Sequence, residues 1–255
     1  METPVPAPLL VFDFDGVLVD GMAEYWWSAR RAALHLWPQL ALPEAIPAGF
    51  TQLRPPIHKG WEMVLMAAEL SRADLDLPAL VANYAAALPV ALARWDCAKE
   101  RLQAVLEQVR ADAIAADPQA WLALHRFYPG VIDRLRRLAA DGADWAVLTT
   151  KGAAFARQLL ASAQLEPVAL FGHEQGSKSE VLARLLADPA QRRPLWFVED
   201  RRPTLELVRS QPELGAVRCF LVSWGYLAPG DGDHLPDGVH WLDPATFAAP
   251  LAQWP

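Results

Sequence analysis

The chain has 255 residues, 53% of them hydrophobic, and a formal net charge of -7. That is enough apolar surface for one or two folded domains, and a pI near 5.4 argues against a nucleic-acid partner. No apolar stretch is long enough to span a bilayer, which argues against a membrane partner, and the first residues lack the pattern of a signal peptide. With only Cys97 and Cys219, far apart, we expect a cytoplasmic protein with free thiols.

The first predicted element is a buried strand that ends in acidic residues. The apolar residues 9–12 lead directly to Asp13 and Asp15, which point to one side because side chains alternate along a strand. Gly16 then permits a sharp turn. Two neighbouring carboxylates repel each other, and a hard cation such as magnesium removes that cost. An aspartate beside a metal can also attack phosphorus. The alternative is a strand that simply ends in a polar turn.

The next segment, residues 21–128, is rich in Ala, Leu and Trp and has helical spacing. We predict helices over residues 24–36, 61–70, 77–93 and 98–116, and a proline-containing loop over residues 50–60. That loop carries Arg54, His58 and Lys59, which are candidates to direct positive charge toward an anionic ligand. A solvated surface loop is the alternative.

From Pro129 onward, short apolar runs alternate with helical patterns. We predict strands over residues 145–149, 168–171, 195–198, 218–223 and 239–242, and helices over residues 130–140, 152–163, 177–187 and 203–210. This alternation is typical of an α/β fold with a doubly wound, mostly parallel, Rossmann-like sheet. Residues 1–20 and 129–255 are then the core domain, and residues 21–128 form an inserted all-helical domain.

Ligands of such sheets bind outside the carboxyl ends of the strands. Asp13, Thr149 and Asp200 each end a predicted strand, so we expect them to converge. The acidic, turn-rich segment 230–238 has the composition of a plain loop. A calcium loop is the alternative, but Leu242 stands where such a loop needs its bidentate Glu.

Four short motifs follow one another along the chain. They are the Asp13–Asp15 pair, Thr149 with Thr150 and Lys151 after it, Lys178 at the start of a helix, and the pair Glu199–Asp200 at the end of a strand. In this order, across residues 9–224, the sequence resembles the haloacid dehalogenase superfamily of phosphohydrolases. Its capped members related to phosphoglycolate phosphatase and beta-phosphoglucomutase are the most similar in pattern. The strings DFDGVLVD and FVED carry most of the resemblance.

The resemblance implies catalytic roles for four residues of the first three motifs. Asp13 would be the nucleophile that forms an aspartyl-phosphate. Asp15 would protonate the leaving alcohol and then activate water. Thr149 would hydrogen-bond a phosphoryl oxygen, and Lys178 would neutralise charge on Asp13 and the phosphoryl group.

The resemblance also implies a magnesium site and a small phosphorylated metabolite as the ligand. Magnesium would be held by the carboxylates of Asp13 and Asp200 and by the backbone carbonyl of Asp15, with Glu199 supporting it through water. Further candidates for substrate binding are Arg54, Thr150 and Lys151.

The sequence departs from the common family pattern at two positions. Many relatives carry Gly-Asp and a second Asp four residues later, where this chain has Glu199–Asp200 and Thr204. The Glu-Asp pair is similar to that of the sugar-phosphate mutases. True dehalogenases of the superfamily lack an acid at the position of Asp15, so its presence argues against carbon–halogen cleavage.

These observations predict a magnesium-dependent phosphatase that hydrolyses a small phosphate monoester. The inserted helical domain would be a cap that excludes water and selects the leaving group. Two alternatives stay open. One is a sugar-phosphate phosphomutase that uses the same residues, and the other is a non-catalytic binding protein on the same fold.

Overall fold

The computed structural model describes residues 7–255 and contains two compact units. One unit consists of the chain up to Asp20 together with Arg126–Pro255, and the other is Gly21–His125. We call them the core unit and the inserted unit. The first six residues, on which the expectation of no signal peptide rests, lie outside the described part.

The strands of the core unit form one large sheet and one small ribbon. They are β1 (Leu9–Phe12), β2 (Val19–Asp20), β3 (Arg126–Phe127), β4 (Asp144–Leu148), β5 (Ala169–Phe171), β6 (Leu195–Glu199), β7 (Arg218–Val222) and β8 (Val239–Leu242). Six of them form a parallel sheet in the order β5-β4-β1-β6-β7-β8. The ribbon pairs β2 with β3 in antiparallel fashion. The predicted parallel α/β sheet is confirmed.

The strand order reverses at β1, because the chain adds β4 and β5 on one side of it and β6, β7 and β8 on the other. Right-handed crossovers in opposite directions place helices on both faces of such a sheet. The reversal opens a crevice at the carboxyl ends of β4, β1 and β6. Asp13 follows β1 in this crevice, and its backbone N–H donates to the carbonyl of Val198 at 2.8 Å.

The helices of the core unit cover the sheet and bring polar residues to its edge. They are α8 (Val131–Arg137), α9 (Ala153–Ser162), α10 (Lys178–Ala187), α11 (Arg202–Arg209) and α12 (Pro244–Ala248), numbered after the seven helices of the inserted unit. Leu9 and Val11 of β1 pack in a buried cluster with Val181 and Leu182 of α10. Asp13 continues this alternation, so its side chain lies on the face that α10 covers.

The regular structure of the inserted unit is helical. Its helices are α1 (Met22–Leu36), α2 (Ala48–Leu53), α3 (Gly60–Glu69), α4 (Leu77–Ala82), α5 (Tyr84–Trp95), α6 (Lys99–Ala116) and α7 (Pro118–Leu122). The prediction of a loop over residues 50–60 was wrong at its start, since Phe50 and Leu53 lie in α2 and are fully buried. The single helix predicted over residues 77–93 is broken at Asn83.

The inserted unit ends at His125, three residues before the predicted boundary, because Arg126 and Phe127 pair with Asp20 and Val19. That the first unit acts as a core domain and the second as a cap domain is a statement about their functions, and it stays a prediction.

Buried carboxylates of the inserted unit are paired within that unit. Glu24 accepts two hydrogen bonds of 2.7 Å from Arg110. Glu62 accepts one of 2.9 Å from the phenol of Tyr84. Each carboxylate is buried, so its hydrogen bonds offset a desolvation cost that an apolar side chain would not have.

Two arginines of α11 hold the acidic loop 230–238 against the core unit. Arg202 donates to the carbonyls of Asp231, Asp233 and His234 at 2.6 to 3.3 Å. Arg209 donates to the carbonyl of Asp237 at 3.1 Å. Backbone carbonyls of the loop are thus used for packing, which agrees with the interpretation of a plain loop. Across the described residues, none of the helices has the length and hydrophobicity to cross a membrane.

Candidate active site

The turn after β1 directs its acidic residues into the crevice. Gly16 has a φ of +90°, a conformation that L side chains rarely adopt. Its N–H donates to the carbonyl of Val19 at 2.9 Å, and Asp15 forms a bridge with the same residue. The turn is therefore closed by β2, and the Asp15 carboxylate faces the ammonium group of Lys151 at 3.2 Å.

The segment after β4 contributes a hydroxyl group and this lysine. The Thr149 N–H donates to the carbonyl of Phe171 at 2.9 Å, which extends the β4–β5 ladder by one residue. Its hydroxyl oxygen accepts a hydrogen bond from the N–H of Lys151 at 3.0 Å. The Thr149 side chain is buried, whereas Thr150 is exposed.

Lys178 is the first residue of α10, and a capping box fixes the start of that helix. The Ser177 side chain accepts from the N–H of Glu180, and the Glu180 carboxylate accepts from the N–H of Ser177 at 2.7 Å. Ser177 is therefore the residue that caps α10. From this position the Lys178 ammonium group reaches the carboxylates of Asp13 at 2.7 Å and Glu199 at 2.6 Å.

Glu199 and Asp200 end β6 and make different contacts. One Glu199 oxygen accepts from Lys178, and the other accepts from the N–H groups of Asp200 and Arg201 at 2.9 and 3.0 Å. One Asp200 oxygen accepts from the N–H of Tyr226 at 2.8 Å. Glu199 thus orients Lys178, while Asp200 is anchored through one of its two oxygens.

The electrostatics of the cluster reflect burial and an excess of negative charge. Burial raises the pKa of Asp13 to about 7, helped by the nearby Glu199 and Asp15 and opposed by Lys178. Burial together with Glu199 and Asp13 also raises the pKa of Asp200 well above its usual range. Burial alone would raise the pKa of Glu199, but Lys178 and hydrogen bonds outweigh this effect, so its pKa is lowered.

The donor set fits a divalent cation. Carboxylate oxygens of Asp13, Glu199 and Asp200 lie within 4.8 Å of one another, and all three side chains are buried. With all four carboxylates ionised, Asp15 included, the cluster would carry two negative charges more than Lys151 and Lys178 balance. A divalent hard cation would balance that excess, and oxygen ligands are those it prefers.

The structure brings most of the predicted residues to the carboxyl edge of β4, β1 and β6. They are Asp13, Asp15, Thr149, Lys151, Lys178, Glu199 and Asp200. Thr150 follows at the exposed end of the same segment. Arg54 belongs to the inserted unit, where its guanidinium group lies 4.9 Å from the centre of the Tyr25 ring and donates to the carbonyl of Ile57 at 3.2 Å. The roles assigned to these residues from the resemblance stay predictions.

Sequence reasoning did not find the contacts of the segment 224–226, which follows β7. Its backbone and side chains contact Asp200, Val17 and Asp20. The available signal was a Trp-Gly-Tyr string directly after a predicted strand, at the edge of the sheet where ligands bind.

Comparison with known proteins gives the family. The family model described as haloacid dehalogenase-like hydrolase matches residues 8–201, well over half of the chain. This chain belongs to the haloacid dehalogenase-like hydrolases. The match spans all four predicted motifs and makes the protein a hydrolase. No curated protein is significantly similar in sequence.

Solved structures share the hydrolase fold over nearly the whole chain. A predicted phosphoglycolate phosphatase from Haemophilus somnus has a TM-score of 0.62 and 17% identity, covering 96% of this chain and 97% of its own. A predicted phosphatase from Clostridium acetobutylicum has a TM-score of 0.54 and 15% identity, covering 92% and 94%. A candidate beta-phosphoglucomutase from Thermotoga maritima has a TM-score of 0.55 and 16% identity, covering 94% and 96%. At these identities, the similarity shows a common fold.

Proposed function

We propose that this hydrolase is a magnesium-dependent phosphatase that releases phosphate from a small phosphorylated metabolite through an aspartyl-phosphate intermediate. The observation that carries the proposal is the contact of Lys178 with both Asp13 and Glu199 beside the buried Asp200. A nucleophilic carboxylate, a fixed ammonium group and carboxylates able to hold a divalent cation are what phosphoryl transfer to an enzyme side chain needs.

The chain's own groups account for both halves of the reaction. An oxygen of Asp13 attacks phosphorus and forms a new P–O bond while the bond from phosphorus to the substrate alcohol breaks. Asp15 gives its proton to the departing alkoxide. In the second half Asp15 takes a proton from water, and the water oxygen attacks phosphorus. The bond to Asp13 then breaks, which releases inorganic phosphate and restores the carboxylate.

Thr149, Lys151 and Lys178 position the groups that react. Lys178 holds the Asp13 carboxylate at 2.7 Å and offers positive charge to the phosphoryl oxygens. Lys151, 3.2 Å from Asp15, holds the proton-transferring carboxylate toward the same edge. The Thr149 hydroxyl group would donate to a phosphoryl oxygen, and the exposed Thr150 would meet the entering substrate.

The carboxylates of Asp13 and Asp200 and the backbone carbonyl of Asp15 would hold magnesium, with Glu199 supporting it through water. When bound, the ion neutralises charge on the transferred phosphoryl group. Turnover should therefore stop in excess chelator, and calcium should support it poorly, because magnesium demands a tighter octahedral shell. Asp200→Ala should raise the magnesium concentration needed for half-maximal activity by roughly ten-fold or more.

A panel of phosphate esters tests the proposal. Wild-type enzyme with magnesium is incubated with small sugar, carboxylate and aryl phosphates, and free phosphate is measured, with Asp13→Asn as the inactive control. We expect phosphate release from at least one ester. Formation of an isomerised sugar phosphate without free phosphate would instead indicate a phosphomutase. This alternative is retained because the chain is similar in fold to the candidate beta-phosphoglucomutase from Thermotoga maritima. No reaction with any ester would favour a binding protein.

We further propose that the enzyme acts in the cytoplasm. The structure leaves both thiols free, Cys97 partly exposed and Cys219 buried. Free thiols are the common state in a reducing compartment.

A further inference from the structure

The strongest unassigned feature is the segment Trp224–Tyr226, which follows β7 beside the candidate active site. Tyr226 forms hydrogen bonds with two different parts of the core unit. Its backbone N–H donates to Oδ2 of Asp200 at 2.8 Å. Its phenol donates to Oδ1 of Asp20 at 2.9 Å, across 206 positions of sequence.

The other two residues of the segment hold the turn that carries Asp15. The indole N–H of Trp224 donates to the carbonyl of Val17 at 3.0 Å. Gly225 packs so closely that a Cβ there would lie 2.3 Å from Cβ of Asp200 and 2.5 Å from the carbonyl oxygen of Gly16. The segment therefore contacts both the end of β6 and the turn between β1 and β2.

Asp20 is connected to the reacting groups through the short strand β2. Val19, its neighbour, accepts from the N–H of Gly16 and bridges to Asp15. Any shift of β2 is thus transmitted to Asp15 through these backbone contacts. A hydrogen bond that fixes Asp20 also restricts where the Asp15 carbonyl and carboxylate lie.

We propose that Tyr226 is a positioning residue of this hydrolase, which couples the metal-binding carboxylate of Asp200 to the turn that carries Asp15. Its N–H sets the orientation of Asp200, and its phenol holds Asp20 so that β2 keeps the turn in place. The inference rests on the proposed function. Tyr226 itself has no part in bond making or breaking.

Tyr226→Phe isolates the phenol, because the backbone N–H that binds Asp200 is retained. We expect kcat to fall roughly ten-fold, the scale of one hydrogen bond to a charged group. KM should stay within about two-fold of wild type, because the substrate contacts are unchanged. The magnesium concentration at the midpoint of the magnesium-induced rise in Tm should increase several-fold, since Asp15 then offers its carbonyl less rigidly.

Asp20 provides the second half of the test. Asp20→Ala should reproduce the Tyr226→Phe effects, and the double variant should be no worse than either single variant, because the two changes remove one bond. Asp20→Asn keeps an acceptor oxygen and should stay close to wild type. Since Asp20 is partly exposed, its variants also test the bond if Tyr226→Phe does not fold.

Tyr84→Phe is the matched control. It removes a phenol-to-carboxylate hydrogen bond of the same length, to Glu62, within the inserted unit. It should lower Tm and leave the magnesium midpoint unchanged, which separates positioning from general stability.

The inference is overturned if Tyr226→Phe leaves both kcat and the magnesium midpoint within about two-fold of wild type, or if the losses of the double variant multiply. A wild-type enzyme without hydrolysis would overturn the proposed function alone. The magnesium midpoints would then still decide whether the bond between Tyr226 and Asp20 positions the metal-binding residues.

Discussion

The ammonium group of Lys178 lies 2.6 Å from the carboxylate of Glu199, a side chain with no exposed surface. The same ammonium group lies 2.7 Å from Asp13. Burial alone would lower the pKa of Lys178, but Asp13 and Glu199 more than reverse this effect, so the lysine stays charged. One cation thus lies between two buried carboxylates and favours the ionised form of each, although burial still raises the pKa of Asp13.

Replacing Lys178 should destabilise the protein as well as stop turnover. Lys178→Met leaves Asp13 and Glu199 buried without their cation, and breaking such a pair costs about 3–5 kcal/mol. We expect this loss in the free energy of unfolding, measured by denaturant titration at pH 8 without magnesium. Lys178→Arg retains the charge and should recover most of the stability, although not the activity. A Met variant as stable as wild type would contradict the ion-pair interpretation.

Asp13→Asn should abolish turnover and stabilise the magnesium-free protein. A free aspartate has a pKa of about 3.9, and in the folded chain burial raises that of Asp13 to about 7. The folded state therefore keeps a proton that the unfolded state has lost, so stability falls as pH rises between about 4 and 7. Asparagine does not ionise, so Asp13→Asn removes this pH-dependent loss of stability.

The difference in Tm between Asp13→Asn and wild type should therefore grow as pH rises from about 4 to 7. Above that interval it should stay constant, with the variant higher by about 2 °C or more. Thermal unfolding in chelator at several pH values measures it. Hydrolysis near the wild-type rate by the same variant would rule out the covalent mechanism.

Gly225→Ala should displace Asp200, because the new Cβ would lie 2.3 Å from Cβ of that residue. Overpacking of this kind costs about 1–3 kcal/mol, and the misplaced carboxylate should raise the magnesium requirement. Gly130→Ala is the control, since a Cβ at Gly130 has nothing within 4 Å. With its φ of +78° that variant should lose stability through backbone strain and keep the wild-type magnesium requirement. An unchanged requirement in Gly225→Ala would contradict the close packing.

Arg54→Ala should change substrate choice. We expect a loss of roughly ten-fold or more in kcat/KM on the best natural ester, the scale of one charged contact. Hydrolysis of an aryl phosphate should be nearly unchanged, since the chemistry belongs to the core unit. Arg31→Ala, which removes an exposed arginine stacked 4.1 Å from the centre of the Trp27 ring, is the control. Equal losses on both esters would show that Arg54 supports the fold.

Much of the core unit could be predicted from the sequence, because its signals are local. Apolar runs that end in polar residues predicted β1, β4 and β6. The helices between the strands predicted that the strands are parallel. Asp13, Thr149 and Asp200 meet at one edge for the same reason. Lys178 was expected at the start of a helix, and the structure has it as the first residue of α10, where Ser177 and Glu180 form the cap.

The remaining features depend on contacts between distant parts of the chain. The two-residue strands β2 and β3 carry no periodicity, and their pairing joins Asp20 to Arg126 across the whole insertion. The helix α2 is only six residues long, too short for a periodic pattern, and its Phe50 and Leu53 are buried against other parts of the chain. The bond between Tyr226 and Asp20 spans 206 positions, so no sequence window contains both partners.

The pairing of Asp20 with Arg126 has a consequence for the evolution of such proteins. The chain leaves the core unit and returns to it at two residues that lie opposite each other in an antiparallel ribbon. The loop-closure entropy of whatever lies between them grows only slowly, by about 0.6 kcal/mol for each doubling of a flexible loop. Insertions of different lengths can therefore be exchanged at this ribbon while the sheet that carries the acidic residues folds in the same way.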